Sequence, residues 1–133
     1  MGNSLLKIID SDNSGFYTWG DNCSGWHLIK SESLSVIKEI MPSMKSEKLH
    51  FHRKSQQFFY ILSGLATFEI EGEIYMVGQN KGILIKPKLK HKILNNTDSD
   101  LEFLVVSEPE SHGDRIDIEE KMNSDKLISK KTQ

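Results

Sequence analysis

Two imidazoles stand one residue apart in His50-Phe51-His52. On a β-strand alternate side chains share a face, so both can reach one metal ion. Imidazole nitrogen suits Zn, Cu, Fe and Ni, and three histidines with one oxygen ligand leave positions open for water or substrate. His91 is a candidate for the third nitrogen, and Gln56 or Gln57 for the oxygen; strand alternation lets only one of the two glutamines face inward. The competing reading is that His50 and His52 are hydrogen-bonded core residues that hold no metal.

The elements that would position these residues are short strands. Trp26 to Ile29, Ser33 to Ile40, Lys48 to His52 and Gln57 to Leu62 carry strand-favouring residues, with Pro42 ending the second and the basic turn Arg53-Lys54-Ser55 joining the last two. In the second, Leu34, Val36 and Ile40 share one face, while Ser35, Ile37 and Glu39 share the other. Ala66 to Ile70 and Glu73 to Val77 flank Glu71-Gly72, a two-residue connection that closes a tight hairpin. Gly82 to Lys86, His91 to Leu94 and Leu101 to Val106 complete the set, with the turn cluster Asn95-Asn96-Thr97-Asp98 before the last. Many short strands at regular spacing predict an all-β sandwich or barrel.

Spacing then adds a resemblance. Met44, His50, His52, Gln57 and Gly64 fall on the first cupin motif, which reads G, five residues, H-x-H, four residues, E, six residues, G. His91 and Asn95 match the second motif, H-x-x-x-N, with Pro87 just upstream. The chain resembles a small single-domain cupin of the phosphomannose-isomerase-like kind, over roughly residues 25 to 107. It departs from the pattern where Met44, Asn80 and Lys88 replace glycines and Gln57 replaces the motif's Glu. The resemblance implies an antiparallel double-stranded β-helix, or jelly-roll barrel. It also implies one divalent transition metal (Zn, Fe, Mn or Ni) held by His50, His52, Gln57 and His91. A neutral Gln oxygen in place of carboxylate leaves the site about one positive charge richer, which weakens binding but sharpens a bound ion as a Lewis acid. Cupins of this size include sugar isomerases and epimerases, metal-dependent dioxygenases and non-catalytic ligand-binding modules. The first expectation is a metal-binding protein acting on a polar or anionic metabolite such as a sugar or sugar phosphate. An iron-dependent dioxygenase and a binding module with a degenerate site are the alternatives.

Beyond the ligand set, Arg53 follows His52, and His112 and Arg115 lie in Ser111-His112-Gly113-Asp114-Arg115 after the last strand. Small cupins similar to this chain carry a like Ser-His-x-Asp-Arg tail. Either this segment is a turn in which Asp114 or Ser111 caps backbone and Arg115 makes a surface pair, or it folds over the barrel mouth and offers His112 or Arg115 to a ligand. Arg53, with Lys54 and the alternating Lys86, Lys88, Lys90 and Lys92, forms either a solvated face or a basic rim for an anion. His27 is read as structural.

At 133 residues the chain has room for one domain with a real core. Residues 1–24 are expected to cover the barrel or a partner through Phe16, Tyr17 and Trp19, 25–107 to form the barrel, and 108–133 to be a largely polar extension. A net charge of −2 gives no basis for nucleic-acid binding. Met1 to Asp10 is too weakly apolar for a signal peptide or a membrane span. Cys23 is the only cysteine, which excludes an intramolecular disulfide. The expectation is a cytoplasmic protein, off the membrane, that binds a small molecule and forms a homodimer through its edge strands.

Overall fold

Leu101–Glu108, numbered β10, shows how pattern becomes layer: Leu101, Phe103, Val105 and Ser107 are buried, and the residues between them only half so. The same alternation repeats in β5, Gln56–Ser63, and β9, His91–Leu94. In the computed structural model, which describes residues 5–20, 22–111 and 113–119, these strands belong to two antiparallel sheets. The other strands are β1 Gly15–Trp19, β2 Cys23–Lys30, β3 Ser35–Met41, β4 His50–His52, β6 Ala66–Ile70, β7 Glu73–Val77, β8 Gly82–Ile85 and β11 Arg115–Asp117. One sheet runs β1-β2-β3-β10-β5-β8 and the other β11-β4-β9-β6-β7. Phe59, Ile61, Phe68, Ile93, Leu101 and Phe103 fill the space between them. This is the all-β double-sheet barrel that the sequence led us to expect. Among the described residues no helix is long and apolar enough to cross a membrane.

Three local features bear on the site. Glu71 and Gly72 both take positive φ, 49° and 83°, so the β6–β7 hairpin closes through the left-handed turn that matches strand twist. The glycine positions lost from the cupin pattern keep their backbone shape: Met44, Asn80 and Lys88 have φ of 62°, 63° and 75°. The fold imposes the left-handed conformation there even on side chains that disfavour it. At Gly64 the glycine is retained for a second reason, since a Cβ would lie 2.9 Å from the Asp100 carbonyl oxygen.

The aromatic N-terminal segment is an ordered edge strand. As β1 it pairs with β2, with Phe16 on the outer face against Trp26 at 5.5 Å and Trp19 packed on the core. At the other end, β11 pairs with β4, setting Arg115 opposite His52 and Asp117 opposite His50. Regular pairing therefore reaches beyond the 25–107 span at both ends. Cys23 is wholly buried in the core, where a thiol behaves as a small apolar group.

Candidate metal centre

Strand alternation sends His50 and His52 inward from β4, and the pairing of His50 with His91 across β4 and β9 brings the third imidazole beside them. All three are buried, at 1–4 % exposure. One ring nitrogen of each lies within 4.8 Å of those of the other two. Gln57, from the opposite sheet, points its side-chain oxygen at His91 Nε2, 3.3 Å away, while its amide donates to Ser107 Oγ at 3.0 Å. Gln56 instead faces outward and donates to Glu108 Oε1. The three expected histidines thus lie together on one sheet, and Gln57 faces His91 from the other.

The hydrogen-bond pattern fits a cation. His50 Nδ1 lies 2.8 Å from the Lys48 carbonyl oxygen, and His91 Nδ1 lies 2.9 Å from that of Leu89. A carbonyl only accepts, so each Nδ1 carries the proton and each Nε2 presents a lone pair. His91 Nε2 then faces the Gln57 oxygen, acceptor against acceptor, an arrangement that a positive ion between them resolves. Both nitrogens of buried His52 lack a hydrogen-bond partner, which costs about 1–3 kcal/mol unless something else binds them. Burial holds all three histidines below the usual imidazole pKa, His52 at about 4, with His91 adding repulsion at His50 and His52. They are therefore neutral at neutral pH, the form that binds metal.

Two carboxyl groups that the sequence did not flag share the cavity of about 330 Å³ with His50, His52 and Gln57. Glu47 accepts the Ile93 N–H at 3.2 Å, lies 4.0 Å from His50 Nδ1 and 3.7 Å from Arg115 Nη1. Burial raises its pKa to about 8, against the pull of Arg115. Glu39 accepts the Tyr17 hydroxyl at 2.7 Å, and burial raises it to about 7. Glu39 was legible only as one face of a strand with Ser35 and Ile37, and no signal marked that face as the cavity wall. Glu47 precedes His50 by three residues in a loop, where alternation says nothing.

Of the other candidates, Arg115 does reach the cavity, where it bonds Asp117 Oδ1 at 2.7 Å and attends Glu47. Arg53 lies at a separate shallow depression beside Lys54 and Asp114, and Lys86 bonds the exposed side of Gln56. His112 falls outside the described residues. Asp114 caps backbone across a long sequence distance: its carboxylate accepts the N–H groups of Arg53, Lys54 and Ser55 at 2.9–3.2 Å. These bonds hold its pKa below the usual range despite the cost of burial, and they fasten the segment bearing Arg115 to the β4–β5 turn.

Comparison with known proteins follows the same lines. The family described as a cupin domain matches residues 36–107. An uncharacterized protein of Methanocaldococcus jannaschii is 33% identical over 89 residues, spanning 66% of this chain and 71% of its own. Among solved structures, a predicted oxalate decarboxylase from Thermotoga maritima superimposes with a TM-score of 0.72 at 20% identity, covering 78% of this chain and 100% of that one. KdgF from a Halomonas species gives 0.72 at 12% identity over 79% and 94%. A Streptomyces Pac13 variant with uridine gives 0.73 at 14% identity over 85% and 91%; Pac13 is described as a nucleoside dehydratase. At these identities the structural likeness speaks to fold.

Proposed function

The chain belongs to the cupin domain family, and from that premise we propose that it is a metal-dependent enzyme acting on a small polar metabolite of the sugar or sugar-phosphate class, by isomerase- or epimerase-like chemistry. The observation that carries the metal is His52, buried with both ring nitrogens unpartnered beside two histidines whose Nδ1 protons are tied to carbonyls. His50, His52 and His91 would hold a divalent transition ion through nitrogen, and Gln57 through its amide oxygen. Such an ion would polarise a carbonyl or hydroxyl oxygen of the ligand. Around it this chain's own residues bind and orient: Ile37, Phe59 and Val105 form an apolar wall, while Glu39, Glu47 and Arg115 supply polar contacts. A cavity of this size suits a small metabolite.

Gln57 in place of a carboxylate is what favours the alternative of a non-catalytic binding module. The lost glycines do not add to it, because Met44, Asn80 and Lys88 reproduce the backbone that glycine would adopt. Metal analysis tests the reading. Protein dialysed against Zn²⁺ should retain one equivalent per chain, His52→Ala and His91→Ala should lose it while staying folded, and Gln57→Glu should tighten it by about 10-fold or more. Unchanged metal content and affinity across the three variants would make these histidines core residues.

A further inference from the structure

The inner face of β10 reads Leu101, Phe103, Val105, Ser107: three apolar side chains, then a hydroxyl at 0% exposure. A buried hydroxyl costs free energy unless it is hydrogen-bonded. The register supplies its partner, because Ser107 pairs with Gln57 of β5 on one side and with Ser35 of β3 on the other. Residues paired across a sheet face the same side, with Cβ atoms about 4.5–5.5 Å apart. Ser35, Ser107 and Gln57 therefore form one polar rung, and all three are buried. The next inner rung, Ile37, Val105 and Phe59, is apolar. Two polar atoms flank the Gln57 amide: Ser107 Oγ, 3.0 Å from Nε2, and His91 Nε2, 3.3 Å from Oε1.

The two ends of an amide have nearly the same shape and opposite hydrogen-bonding roles. In the orientation the structure shows, the oxygen is turned to His91 and the N–H to Ser107. That orientation suits a cation, which the oxygen and His91 Nε2 can both bind. Half a turn about the last side-chain bond exchanges the two ends. The N–H then donates to His91 Nε2, which presents a lone pair because Nδ1 donates to the Leu89 carbonyl, and the oxygen accepts from Ser107. A hydroxyl both donates and accepts, and it rotates to suit. Ser107 thus serves either orientation. An ionised carboxylate at position 57 would have no second state: it offers acceptors only, and the His91 lone pair opposite it calls for an ion or a proton between them.

We propose that Ser107 is the positioning residue for the Gln57 ligand, and that the Gln57 amide turns over with occupancy of the site. With an ion bound, Ser107 Oγ accepts the amide N–H and keeps the oxygen on the histidine side; without one, the hydroxyl donates to the oxygen while the N–H goes to His91. This rests on the metal-binding reading above and extends it to a side chain that touches no ion. Nitrogen and oxygen of Gln57 are partnered in both states, so the barrel releases and rebinds its ion without leaving a polar group of this residue stranded in the core.

NMR of ¹⁵N-labelled wild type tests the turn directly. A scalar coupling between Gln57 Nε2 and His91 Nε2, which an N–H···N hydrogen bond transmits, should be present in the zinc-free protein and vanish with one equivalent of zinc. Ser107→Ala should weaken zinc binding about 3–10-fold, since the ion-facing orientation then buries an N–H with no acceptor. Ser107→Thr keeps the hydroxyl and should restore the affinity. A zinc-free wild type without the coupling, a coupling that survives zinc, a Ser107→Ala variant that binds zinc as tightly as wild type, or a weakening that Ser107→Thr shares overturns this proposal and leaves the metal site standing. The coupling is read on wild type alone, so the proposal remains open to refutation even if Ser107→Ala does not fold. A wild type that retains no zinc overturns the reading beneath it.

Discussion

Replacing Met44 and Lys88 by glycine should stabilise this protein. Both residues are exposed and both hold positive φ, 62° and 75°. A left-handed conformation costs an L-residue about 1–2 kcal/mol, whereas glycine loses about 0.4–1 kcal/mol more through the freedom of the unfolded chain. The difference is roughly 0.5–1 kcal/mol per site, so about 1–2 kcal/mol for the pair. The Lys88 turn should survive, because its anchor is a backbone bond, Lys88 N to His52 O at 2.6 Å. With an unfolding entropy of about 2.1 cal/mol/K per residue over 133 residues, the double variant should melt about 4–7 °C higher. Urea melts are the assay: the midpoint should rise with an unchanged m-value. Gly64→Ala is the counter-test, expected to destabilise because φ is 97° and the new Cβ would crowd the Asp100 carbonyl. A double variant less stable than wild type would refute the reasoning, showing that those side chains make contributions larger than their strain.

Three further outcomes are expected. For the metal-free protein, stability should peak near pH 6–6.5: below the unfolded histidine pKa of 6.5 the unfolded chain gains protons that buried His50, His52 and His91 refuse, so stability falls with pH; above the unfolded carboxyl pKa of 4.5 folded Glu39 and Glu47 keep protons that the unfolded chain has lost, so stability falls as pH rises through about 7 to 8. Urea midpoints from pH 4 to 9 check this, and a steady rise to pH 8 would contradict it. Asp114→Ala should cost about 1–2 kcal/mol, the scale of a lost backbone cap, and should raise hydrogen exchange at Arg53, Lys54 and Ser55; unchanged exchange there would show that the cap is dispensable. A homodimer is proposed through the edge strands, of which β7 exposes Ile74, Tyr75 and Met76 at 60%, 45% and 58%; sedimentation showing only monomer at micromolar concentration would dispose of it.

The sequence by itself determined the parts of this protein that depend on local period and fixed spacing. Alternation of apolar residues set the strands, the Glu71-Gly72 pair set the hairpin, and H-x-H with a later H placed three imidazoles on inward faces. Period two is enough for that, because a strand's side chains have only two directions to take. Lost glycines were visible as departures, but only the backbone showed that Met44, Asn80 and Lys88 hold the left-handed conformation regardless. Tertiary structure alone decided which polar residues meet across sheets. Glu39 looked like one face of a strand until the register of three strands put Gly25 between it and Tyr17. Glu47 became part of the site because β4, β9 and β11 converge on its loop. Asp114 caps a turn some sixty residues earlier in the chain. Such contacts depend on which strands neighbour one another, and strand order is fixed by the packing of the whole core, which no short window of residues encodes.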